Sequence, residues 1–62
     1  MNLTILTTRT NSRGDSRVYT ASARSLDEAA RAADAEMARG ADSAIVVDDD
    51  GDKHYVAPRV RS

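Results

Sequence analysis

The spacing of apolar residues along the chain divides it into five elements. From Asn2 to Arg9, Leu and Ile alternate with Thr, a two-residue period rich in β-formers that predicts a strand. Leu3, Ile5 and Thr7 then share one side, and Thr4, Leu6 and Thr8 the other. Turn-forming residues fill Thr10 to Ser16, and a second strand follows over Arg17 to Ala23 around Val18 and Tyr19. The period changes at Ser25, where Leu26, Ala29, Ala30, Ala33 and Met37 recur at three- and four-residue steps and predict a helix ending at Gly40. Ser25 with Glu28 three residues on is a capping-box signature. Ala41 to Asp48 contains the unbroken apolar run of a third strand. Asp49-Asp50-Gly51-Asp52 is a turn whose Asp-Gly pair suits a type I′ hairpin, and Lys53 to Ala57 forms a fourth strand that Pro58 ends.

The order β-β-α-β-β predicts an α+β domain, one helix on one face of a four-stranded, mainly antiparallel sheet. Because the helix returns the chain along the sheet, strand order 2-1-3-4 makes every neighbouring pair antiparallel and puts the two most aliphatic strands in the centre. The helix is expected to cover Leu3, Ile5, Val18, Ile45 and Val47. The opposite face then keeps Leu6, Tyr19, Val46 and Tyr55 as candidate protein-interaction residues.

Composition sharpens this expectation. With 62 residues there is room for one domain, residues 59–62 forming a basic tail, and a chain this short buries only about 60% of its unfolded surface. There is no Phe, Trp or Cys, so neither bulky aromatic packing nor a disulfide supports the fold. Oligomerisation is the remaining support, and a homodimer is expected. With no apolar run long enough to span a membrane and no signal-peptide layout, the chain is expected to work in the cytoplasm. Eight Arg against one Lys fits a GC-rich bacterial or phage genome.

Charge is uneven along the chain. Residues 1–25 hold four Arg against one Asp, a balance of +3, whereas residues 26–52 hold nine acids against two Arg, a balance of −7. Arg9, Arg13 and Arg17 on the first hairpin, with Arg59 and Arg61 in the tail, are candidates for tracking a phosphate backbone. Two Tyr are few for base stacking, and the acidic segment would repel phosphate. Nucleic acid is thus the alternative partner, and protein the main one.

Motifs for catalysis are lacking. Arg13-Gly14-Asp15 is the tripeptide that integrins bind, and it is also ordinary turn chemistry. If Gly51 is set at the sixth place of an EF-hand loop, Val46 and Ala57 fall at the first and twelfth, where oxygen ligands are required, so no metal is expected. His54 has no nucleophile placed for activation. No glycine-rich phosphate loop is present, and neither an enzyme nor a cofactor is expected.

The segments SLDEAARAADAEM and SAIVVDDDGDKHYV together resemble small bacterial hairpin-helix-hairpin domains of unknown function. SLDEAA is also similar to the helix start of HicB-type antitoxin domains, which implies a toxin-neutralising or RNA-related partner. The aromatic, proline-containing strand that precedes the helix in that family is missing here.

Overall fold

A computed structural model describes residues 2–58. Its elements are β1 (Leu3–Thr10), β2 (Ser16–Ala23), α1 (Leu26–Ala38), β3 (Ser43–Val47) and β4 (Lys53–Val56). The four strands form one sheet in the order β2-β1-β3-β4, with β1–β2, β1–β3 and β3–β4 all antiparallel. Fold class and strand order are those the sequence predicts. The basic tail, with Arg59 and Arg61, lies outside the described residues.

The helix ends follow from local chemistry. At the start, Ser25 is extended and its Oγ accepts the Glu28 amide at 3.2 Å, satisfying one of the donors that the first turn leaves open. At the end, Gly40 takes φ +98, its amide bonds the Met37 carbonyl, and the Ala41 amide bonds Glu36. This is a Schellman closure, for which glycine supplies the left-handed residue. Ala41 is thereby tucked into the core, and the chain enters β3 with the Asp42 amide on the Thr8 carbonyl.

Both hairpin loops are built alike. Gly14 donates to the Asn11 carbonyl and Gly51 to the Asp48 carbonyl; Asn11 donates to Asp15 and Asp48 to Asp52. In each loop the first side chain, Asn11 or Asp48, accepts two further amides through its Oδ1. Each is a three-residue loop with glycine in the left-handed position. The type I′ turn expected at Asp50-Gly51 is therefore corrected: that turn needs positive φ at both central residues, and none of the described non-glycine residues has it.

The helix covers one face of the sheet with small side chains. The core comprises Leu3, Ile5, Ala23, Ala29, Ala33, Met37, Ala41, Ala44, Val46 and Ala57, so alanine supplies six of its ten members. A helix whose contact stripe is Ala29, Ala33 and Met37 lies close to the sheet, and close approach admits only modest side chains beneath it. Ala44 and Val46 of β3 are fully buried there, while Ile45 and Val47 turn outward.

The allocation of residues to faces therefore needs correction. Opposed residues of an antiparallel pair share a face. Ile5 pairs with Ala21 and Val46, Thr7 with Tyr19 and Ala44, and Val46 with Tyr55. Tyr19, Val46 and Tyr55 thus lie on the helix side and not on the open side. Val18, Ile45 and Val47, expected beneath the helix, lie on the open side with Leu6. Only Leu3, Ile5 and Leu6 sit where the sequence reading puts them.

Candidate interaction surfaces

The open face of the sheet is built from alternate residues of each strand. Leu6 pairs with Thr20 on one side and Ile45 on the other, and Ile45 pairs with Val56, so an aliphatic row crosses from β1 to β4. Val47 lies beside Thr4 in the next row, and Val18 beside Thr8 in the row on the other side. Val18 is 63% and Val56 57% exposed, and Leu6, Ile45 and Val47 are half-buried by their neighbours. The helix side holds Leu3, Ile5 and Val46 among alanines, whereas the open side holds one Leu, one Ile and three Val. More branched aliphatic bulk faces away from the helix than towards it.

A second feature lies where α1 leaves β2 uncovered on the helix side. There a groove of about 450 Å³ is lined by Ile5, Thr7, Tyr19 and Ala21 below and by Ala32 and Glu36 of the helix. Tyr19 stands at its rim, 52% exposed. Glu36 closes one end through an ion pair with Arg9 at 2.8 Å, and also holds Arg39 at 3.4 Å.

The candidate anchors therefore separate. Leu6 belongs to the open face and Tyr19 to the groove. Val46 is 0% exposed and has no surface to offer. Tyr55 donates its hydroxyl to Asp34 Oδ1 at 2.7 Å, tying β4 to the helix; this bond, with partial burial, raises the phenol above its ordinary value.

The arginine candidates are also divided. Arg9 and Arg17 stand opposite each other on the helix side, but Arg9 is compensated by Glu36. Among the described residues Arg17 makes no ion pair, and Arg13 sits at the hairpin tip with its amide on Asn11.

The acidic hairpin is held internally. Asp48, Asp50 and Asp52 place carboxylate oxygens within 4.8 Å of one another. Asp48 is already engaged, because Oδ1 accepts the Asp50 and Asp52 amides and Oδ2 lies 2.7 Å from His54 Nε2. Hydrogen bonds from His54, and then from the Asp52 and Asp50 amides, outweigh partial burial and hold this carboxyl below its ordinary value. The register shift between Val46 and Val47 leaves His54 as the extra residue of a bulge, which brings it to Asp48. Asp48 thus acts as a turn organiser and His54 as its partner.

Ile45, Val47, Val18 and Val56 are the surface residues that the sequence reading missed. Only Val18 had a readable signal: a three-residue loop closed by Asn11 and Asp15 fixes Tyr19 opposite Thr7 and so turns Val18 to the face of Thr8 and Leu6. No helix among the described residues is long and apolar enough to cross a membrane. The fold and these surfaces define a two-layer α+β domain with one sheet face left uncovered among the described residues. Comparison with protein-family models, curated proteins and solved structures returned no match.

Proposed function

We propose that the chain is a non-catalytic binding module whose open sheet face docks on the apolar surface of a partner protein. The observation that carries this reading is the inversion along β3. Ala44 and Val46 point under the helix, while Ile45 and Val47 join Leu6 and Val56 outside. Contiguous aliphatic surface of this kind marks an interaction site in small soluble domains, and Leu6 and Ile45 at its centre are the expected anchors.

The test is Ile45→Lys, which keeps a long side chain on the exposed strand face and adds a charge. The wild-type chain should bind a hydrophobic dye and be retained on a weakly hydrophobic column, and the variant should lose both while unfolding near the same urea concentration. Wild-type protein that shows neither property would overturn the reading. Nucleic-acid binding through the first hairpin has weaker support, because Arg9 is already paired with Glu36.

A further inference from the structure

We infer that the outer edge of β2 pairs with β2 of a second copy, antiparallel about a two-fold axis, to make one continuous eight-stranded sheet. This does not depend on what docks on the open face.

The two edges of the sheet are unlike. β4 has four residues, is kinked by the bulge at His54 and is followed by Pro58. Short length, a bulge and proline are the devices that keep a sheet edge from pairing further. β2 has eight residues with neither a proline nor a register shift, and Ser16 to Ser22 are all exposed. No described element covers its outer side.

The hydrogen-bond parity of that edge can be worked out. The Asn11 amide donates to the Asp15 carbonyl, so Asn11 and Asp15 form a bonded pair. Bonded pairs alternate along an antiparallel ladder, so Arg17, Tyr19, Ala21 and Ala23 direct their main-chain groups at β1. Thr8 agrees, because its carbonyl accepts from Asp42 on the β3 side. Val18, Thr20 and Ser22 therefore direct their amides and carbonyls outward. With Thr20 opposite its own copy, Val18 meets Ser22 and both strands offer matched donors and acceptors, giving roughly six main-chain hydrogen bonds.

Side chains favour a second copy as the occupant. In this register Tyr19 of each copy lies opposite Ala21 of the other on the helix side. A large ring thus meets a small residue at the groove between β2 and α1, whose helix wall is Ala32. Arg17 lies opposite Ala23 of the other copy, where its α1 begins. Helix periodicity sets Glu28 one turn before Ala32 and two before Glu36, on the flank that lines the groove against β2. In one copy Arg17 faces Arg9, a like-charge pair across the strands that is unfavourable; across the two-fold it meets an acid. The chain's positive hairpin and its negative helix start are thus brought together twice, once on each side of the axis.

The test is Thr20→Pro. Its amide points away from β1, so proline there removes only the outward donor. Sedimentation equilibrium should show a wild-type dimer, and T20P should weaken it at least tenfold while keeping the circular dichroism of the folded chain. Should T20P fail to fold, charge reversal provides the second arm. R17E and E28R should each weaken the dimer, and the double variant R17E/E28R should restore it. Arg17 and Glu28 flank opposite ends of one copy's groove, so rescue would require contact between copies. Backbone amide exchange gives a direct reading, because Val18, Thr20 and Ser22 should gain protection as concentration rises. A wild-type chain that stays monomeric at millimolar concentration would overturn the inference. So would a dimer that survives T20P unchanged, or one that is abolished by I45K alone.

Discussion

The facing of β3 can be tested by one chemical change made at two adjacent residues. Val46→Thr and Val47→Thr each exchange a methyl for a hydroxyl at nearly constant volume. Val46 is fully buried between Ile5 and Tyr55 on the helix side, in a core whose buried side chains among the described residues are apolar except for Thr7. Losing a buried methyl and burying an unpaired hydroxyl together cost about 2 kcal/mol. At roughly 0.05–0.15 kcal/mol per residue, a chain of this length is stable by about 3–9 kcal/mol, so the loss is a large share of the total. Val47 is half-buried on the open side, where water reaches the hydroxyl, and V47T should cost under about 0.5 kcal/mol. Urea unfolding at low micromolar concentration is the assay. With a slope near 1 kcal/mol per molar, V46T should lower the midpoint by about 2 M and V47T by about 0.5 M or less. Equal losses, or a larger loss for V47T, would refute the argument. Repeating V47T at high protein concentration adds a further reading, since its cost grows there if the open face takes part in association.

Gly14 and Gly51 both take φ +86, and a Cβ at either would meet no atom within 4 Å. Gly14→Ala and Gly51→Ala should therefore each lose only the backbone term, about 1 kcal/mol by thermal unfolding, and a much larger loss at one would show that the loops differ. Asp48 gives a pH dependence. Its folded carboxyl lies below the ordinary value, so its stabilisation is complete above about pH 4 and is lost as pH falls through the folded value. The urea midpoint should fall on acidification, and Asp48→Asn should flatten that fall. An unchanged acid slope in D48N would remove Asp48 as its source.

Much of the fold was legible because it depends on period and punctuation. The two-residue alternation of β1, the steps of α1 at Ala29, Ala33 and Met37, and the signals at Ser25 and Gly40 each report local chemistry that the structure keeps; Gly51 marks its turn but not the turn type, and Leu26, expected on the helix stripe, is 44% exposed. Strand order followed because a single helix between two hairpins leaves few antiparallel arrangements. The faces were not legible in the same way, since a strand that alternates is silent about which of its sides turns inward. Two features decide this for β2 and β4. The pattern Asn11-Ser12-Arg13-Gly14-Asp15, repeated as Asp48-Asp49-Asp50-Gly51-Asp52, specifies three-residue loops. The bulge at His54 then shifts Tyr55 into register with Val46, and only the loop pattern can be read in advance.

The error in the faces has a physical cause that also bears on function. Choosing the larger residues of β3 as core would be sound beneath a helix with long side chains. Here the contact stripe is mostly alanine, the two layers lie close, and the Cα trace is only 14 Å deep along its shortest axis. Close layers select Ala44, Val46 and Ala23 for the interior and leave Ile45 and Val47 outside. An edge-paired dimer preserves this arrangement, because residues opposed across antiparallel strands share a face. Any register that aligns the outward groups of Val18, Thr20 and Ser22 also puts both helices on one side of the eight strands. The two aliphatic faces then lie side by side on the other, forming a single surface about twice as wide for a partner to cover.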